Sequence, residues 1–254
     1  MNPLTTVPTP PTSLVTLVLD KSGSMLFGKE STISAFNAYV GGLQEAVDAK
    51  ILFSFLQFSS LGIDKVCAGV PVSDVRPLTD ETYLPMGNTP LIDAAVLTIR
   101  AVEKLAATLD EPKIVVCIQT DGQENCSTQY TWEDLNGLVA AKTALGWQFN
   151  FMGAGIDAYA QGAKMGIGAM NTMSYDNADA AATNAAFHAS ASNHVMFARG
   201  MSSNTAYSGA QRAASGDRFA ARPPLNWGST GISMGPTPSP TAKLAIDLTK
   251  GVGP

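Results

Sequence analysis

The chain has 254 residues, 45% of them apolar and 15% charged, a balance that supports the buried core of one large domain and excludes an intrinsically disordered chain. Sixteen basic against twenty-one acidic residues give a net charge of −5, and the basic residues are scattered and form no stripe, which argues against a nucleic-acid partner. The longest apolar runs, such as IVVCI from Ile114 to Ile118, are strand length and too short to cross a bilayer. The opening residues show no basic start followed by a long apolar core, so no secretory leader is expected. Three cysteines, an odd count without framework spacing, suggest reduced thiols. The sequon Asn125-Cys126-Ser127 is then out of reach of glycosylation.

Residues 1–13 hold four prolines and no apolar periodicity, and read as an extended arm. From Leu14 the pattern changes. SLVTLVL is a continuous β-rich apolar run, as expected of a strand covered on both faces. Ile33, Phe36, Val40, Leu43 and Val47 then recur at spacings of three and four, one buried face of a helix. Ile51–Phe58 reads as a second strand, and 64–72 as a shorter one joined through Ser-Ser-Leu-Gly and antiparallel to it. After a loop through Pro85, Gly87 and Asn88, Thr89 is placed to cap a helix with Pro90 at its first position and Leu91, Ala95, Ile99, Val102 and Leu105 as its apolar stripe.

Ile114–Gln119 is the next buried strand and runs into TDGQEN. TWEDLNGLVAAKTALG opens on a Thr131-x-x-Asp134 cap and closes on Gly146. Gln148–Gly153 is a fourth core strand, a short one follows near 171–175, and the Ala-rich stretch 177–199 is read as the last helix. Strands alternating with helices indicate an α/β fold, a mostly parallel sheet with one antiparallel edge strand and helices on both faces. Ligands in such sheets bind beyond the carboxyl ends of the strands, so the loops after Leu19 and Gln119 are expected to meet there. The organisation is thus an arm over 1–13, a domain over 14–199 and a Gly/Pro/Ser-rich extension over 200–254. The composition of that extension is compatible both with a flexible tail and with an arm that folds onto a neighbour.

Asp20, Ser22 and Ser24 in LVLDKSGSM, Thr89 in GNTPL and Asp121 in TDG supply five oxygen side chains on three loops. Alone, each piece has an ordinary reading: a turn, an N-cap, a turn pair. Together, in this order at strand ends and a helix start, they point to a cation. Oxygen-only donors with two carboxylates suit a hard divalent ion, and a small octahedral site suits Mg²⁺, with Mn²⁺ or Ca²⁺ as substitutes. In D-x-S-x-S both hydroxyls turn to one side while Lys21 and Gly23 face elsewhere, and Gly23 and Gly122 permit close backbone approach.

These three stretches, LVLDKSGSM, GNTPLIDA and IQTDGQEN, resemble the metal-ion-dependent adhesion site of von Willebrand factor type A (vWA) domains, and the resemblance runs from about Leu14 to Arg199 in element order. It implies a Rossmann-like sheet with Mg²⁺ at its top. Ser22, Ser24 and Thr89 would be direct ligands, Asp20 and Asp121 would act partly through water, and a protein partner's acidic residue would complete the coordination. Lys21 departs from the small or acidic residue usual after the first Asp, a change expected to weaken cation affinity. DGQEN and the stretch from Trp147 to Ala158 are similar to compact bacterial and phage-type members.

Enzyme readings are weaker. Gly231-Ile-Ser233-Met-Gly235 matches G-x-S-x-G but has no strand before it or helix after it. His188 and His194 fall on different faces of one helix, no Gly-rich phosphate loop with Lys is present, and a phosphohydrolase built on Asp20 would want a carboxylate where Ser22 stands. The expectation is a non-enzymatic Mg²⁺-dependent protein-binding module. Two settings stay open: a phage structural or assembly component whose arms contact neighbouring subunits, and a cytosolic adaptor for a MoxR-type AAA+ ATPase. The expected location is the host cytoplasm or the virion, with no membrane partner.

Overall fold

The computed structural model describes residues 11–220. Strand β1 (Ser13–Asp20) is buried along its whole length, and its alternation explains why. Val15, Leu17 and Leu19 point into one apolar cluster while Leu14 and Val18 point into the other, so both faces of the strand are covered. β2 (Ile51–Ser59) and β4 (Lys113–Thr120) flank it, both parallel, with Leu17 opposite Phe55 on one side and Cys117 on the other. β3 (Gly62–Pro71) returns antiparallel to β2, and β5 (Gln148–Ala154) and β6 (Thr172–Tyr175) continue the parallel set. The sheet order is β3-β2-β1-β4-β5-β6. The chain leaves β1 toward β2 and leaves β4 toward β5, in opposite directions, so a crevice opens at the carboxyl ends of β1 and β4.

Helix α1 (Lys29–Gln44) packs with α5 (Ala180–Ala198) on one face; α2 (Leu91–Ala106), α3 (Trp132–Ala144) and α4 (Ala158–Met165) cover the other. The expected stripe of α1 holds through Leu43, but the helix ends at Gln44 and Val47 is 92% exposed. The α3 capping box forms as its sequence indicated, with Thr131 and Asp134 bonding reciprocally. α4 was not anticipated. Gly162 obscures its pattern, and the reason for that glycine is tertiary: a Cβ there would sit 2.8 Å from Thr172 Oγ1 on β6.

The packed body also continues past Arg199. Thr205, Tyr207 and Ser215 are buried, Thr205 Oγ1 donates to Asn150 Oδ1 at 2.6 Å, and the Arg212 guanidinium binds the carbonyls of Ala169, Met170, Thr172 and Tyr207. A capping box at Ser208 and Gln211 starts the short α6 (Gly209–Ala214). Sparse apolar residues hid this segment because its anchoring is mostly by polar side chains. Residues 1–10 and 221–254, including the Gly231–Gly235 motif, lie outside the described residues. Among the described residues no helix is long and apolar enough to cross a membrane.

Candidate metal centre

Asp20 is the last residue of β1 and fully buried. Its Oδ1 accepts the Ser22 amide at 2.6 Å and its Oδ2 accepts the Thr120 hydroxyl from the end of β4, so the carboxylate is oriented across the crevice. Ser22 leads into a single 3-10 turn, Gly23–Leu26, which sets its hydroxyl 3.2 Å from that of Ser24. Ser24 Oγ donates to Asp121 Oδ1 at 2.6 Å. The first and third sequence motifs therefore meet in one hydrogen-bonded chain, Asp20–Ser22–Ser24–Asp121.

Thr89 enters from the loop before α2. The sequence expects it to cap that helix, but the helix begins at Leu91 after Pro90, and Glu124 and Ser127 accept the first-turn amides of Ile92 and Asp93. Thr89 is instead clamped through its backbone: its N–H donates to Asn125 Oδ1 at 2.9 Å and its carbonyl accepts the Asn125 amide at 3.2 Å. The missing Cβ of Gly122 lets the Asp121 loop close on it, since a Cβ there would lie 2.9 Å from Thr89 Oγ1. All five sequence-selected residues thus stand on three adjoining loops at the switch point.

The supporting residues were harder to see in the sequence. Glu124 accepts four hydrogen bonds, from the amides of Ile92, Cys126 and Ser127 and the Ser127 hydroxyl. Asp93 collects the amides of Thr128, Gln129 and Tyr130. Tyr83 O–H donates to the Asp20 carbonyl at 2.6 Å, and the backbone of Lys21 and Gly23 pairs with Met86 and Gly87. DGQEN was visible as a motif; its structural task depended on knowing that α2 begins beside it. Lys21 turns to the edge strand, where its ammonium pairs with Asp64.

Burial raises the Asp20 carboxyl to about 6, with the nearby Asp121 adding to the rise and the bonds from Thr120 and Ser22 opposing it. Asp121 is raised as well, again by burial. No basic side chain lowers either group. Two desolvated carboxyls without a protein cation are the arrangement a divalent ion would relieve. Among the described residues no cluster of three or more His, Cys, Asp or Glu side chains forms a metal-binding group; what the five residues offer is two carboxylates and three neutral hydroxyls, a hard oxygen set whose chemistry would suit Mg²⁺ and not zinc.

No protein-family model and no curated protein matches the sequence. Solved structures do match. The pilus adhesin SpaC from Lactobacillus rhamnosus GG, in its open conformation, aligns with a TM-score of 0.57 and 14% identity over 74% of this chain and 30% of its own. A von Willebrand factor type A protein from Catenulispora acidiphila gives 0.51 and 14% over 73% and 43%. The vWF domain of the type V pili tip protein Mfa5 from Porphyromonas gingivalis gives 0.50 and 9% over 71% and 95%. The chain has the Rossmann-like vWA fold. It spans under half the length of the SpaC and Catenulispora chains, and at these identities the likeness is one of fold.

Proposed function

We propose that this chain is a non-enzymatic protein-binding module whose contact depends on Mg²⁺, with Mn²⁺ or Ca²⁺ able to replace it. Ser22, Ser24 and Thr89 would hold the ion, with Asp20 and Asp121 acting partly through water. The observation that carries this reading is the pair of carboxyls, Asp20 buried and Asp121 half-buried, joined through hydroxyls and lacking any basic partner, at the sheet's switch point. When bound, the ion supplies a coordination position that a partner's carboxylate can fill. The chain's own residues prepare for that. Ser22 N–H and Thr120 O–H fix the direction of the Asp20 carboxylate, Asn125 fixes Thr89, and Gly122 leaves room between them. Because only two carboxylates face a 2+ charge, a third from outside is attracted without a dedicated Arg.

Two other groups that could react, His194 and Cys117, are enclosed. His194 is fully buried between Tyr39 O–H and Asn150 Oδ1, and burial pushes the Cys117 thiol up to about 12. The similarity in fold to a pilus adhesin and a pili tip protein supports an adhesive or assembly role. We assign it to a structural or assembly component, a phage particle being the setting that uses segments at both ends of the domain to contact neighbouring subunits. The test is equilibrium dialysis with Mn²⁺ together with partner pull-down in Mg²⁺ or EDTA, for the native chain, Asp20→Ala and Thr89→Ala. Cation uptake and capture should both fall in the variants and capture should fall in EDTA. Capture indifferent to all three changes sinks the proposal.

A further inference from the structure

Beside the candidate metal centre the fold leaves several apolar side chains in water. Leu26, Phe27, Leu61, Leu84 and Met86 are each at least 60% exposed; Leu26 and Phe27 are on the loop after β1, Leu84 and Met86 on the loop before α2, and Leu61 in the β2–β3 turn. Leu26 and Phe27 stand two and three positions after Ser24, at the end of the Gly23–Leu26 turn. Met86 N–H donates to the Lys21 carbonyl, and Gly87 accepts from Gly23 N–H at 2.9 Å. Leu61 comes within 3.5 Å of where a Cβ on Gly87 would stand. Outside Leu26 and Phe27 a groove of about 780 Å³ extends to Asn177 and Asn184. Apolar surface gathered around a polar centre marks an interaction site, and its form asks for a carboxylate with bulky apolar neighbours.

The sequence holds such a segment. Among residues 1–10 and 221–254 the single acidic side chain is Asp247, in Leu244-Ala245-Ile246-Asp247-Leu248. Charge is complementary too. Residues 11–220 carry thirteen basic and twenty acidic side chains, net −7, while residues 221–254 carry three basic and one acidic, net +2. We infer that the occupant of this socket is the Leu244–Leu248 segment of a second copy, with Asp247 as the outside carboxylate and Leu244, Ile246 and Leu248 against the apolar collar. Asp247 lies twenty-seven positions beyond Ala220, and a chain of that length spans at most roughly 95 Å, an upper bound that does not exclude a neighbour in contact. Socket and plug on one chain make a heterologous contact, which closes into rings or extends into filaments. The inference rests on the cation-dependent reading above.

The test is sedimentation velocity of the full chain in Mg²⁺ or EDTA, alongside Asp247→Asn, Ser24→Ala and Phe27→Ser. Self-association should need Mg²⁺ and weaken at least about tenfold in each variant, the scale of a lost contact to a charged group or a buried apolar anchor. Mixing Asp247→Asn, which keeps the socket, with Ser24→Ala, which keeps the plug, should restore a dimer that neither forms alone. Mn²⁺ uptake followed by electron paramagnetic resonance separates the two levels of the argument. If Asp247→Asn binds Mn²⁺ yet associates like the native chain, or if the mixed pair stays monomeric, the Asp247 assignment is overturned while the cation site stands. If neither protein takes up Mn²⁺, the cation reading fails and this inference with it.

Discussion

Replacing Asp20 by asparagine separates the cost of the site's charge from its use. In the cation-free protein the carboxyl titrates near 6 when folded, against an ordinary value of 3.8. The folded state therefore holds its proton more tightly, and between about pH 4 and 6 the unfolded chain binds fewer protons. The contribution of Asp20 to stability accordingly falls as pH rises through that window. A difference of about two pK units at ~1.4 kcal/mol each amounts to about 3 kcal/mol of destabilisation at pH 7. Asp121 is shifted in the same direction and adds to it.

The amide of the Asp20→Asn variant keeps an acceptor for one of the two donors, Ser22 N–H and Thr120 O–H, but has no charge to bury. Urea unfolding in EDTA, from about pH 4.5 to 7.5, should show Asp20→Asn gaining on the native chain with rising pH, approaching ~2–3 kcal/mol near neutrality. The difference between the two proteins is the quantity to follow, because His194 has an opposing pH dependence that both share. Millimolar Mg²⁺ should recover that stability in the native chain and leave Asp20→Asn unchanged. Parallel pH profiles for the two proteins, or equal stabilisation of both by Mg²⁺, would refute the account of a desolvated carboxylate waiting for a cation.

His194 gives the converse profile. Burial lowers its imidazole from 6.5 to about 3, so its contribution is present above pH 6.5 and lost as pH falls toward 3, by up to about 5 kcal/mol; His194→Gln should flatten that acid limb in denaturant titrations, whatever its absolute stability. Gly122→Ala puts a methyl 2.9 Å from Thr89 Oγ1 and should lower Mn²⁺ affinity about tenfold while costing about 1 kcal/mol in thermal unfolding. Glu124→Gln replaces by a donor one of two oxygens, that accepting the Ile92 amide and the Ser127 hydroxyl or that accepting the Cys126 and Ser127 amides; a loss of about 2 kcal/mol, seen as a melting point lower by about 4–8 °C, should accompany weaker cation uptake as the Asn125–Thr89 clamp loosens.

How far the sequence reached can be followed element by element. β1, β2, β4 and β5 were legible because strands buried on both faces must be continuously apolar, and the α3 capping box because its two bonds are local. The five proposed metal-site residues were legible for a related reason: a ligand loop follows a strand end, so strand, acid and hydroxyls share one short stretch of chain. Val47 misled because periodicity continues past the point where Gln44 ends the helix. α4 and residues 200–220 were missed because their placement comes from partners remote in sequence, Thr172 against Gly162, and Asn150 and the 169–172 carbonyls for Thr205 and Arg212.

By itself, then, the sequence determined the alternation of strands and helices and which oxygens the loops carry, since both follow from short-range patterning and residue chemistry. Only the tertiary structure decided that Glu124, rather than Thr89, receives the Ile92 amide in the first turn of α2, with Thr89 held by Asn125 beside Gly122. It also decided that the buried Asp20 and the half-buried Asp121 join one hydrogen-bonded chain with no basic group to relieve them. Those outcomes depend on which loops the sheet order brings side by side, and that juxtaposition is set by packing across the whole domain.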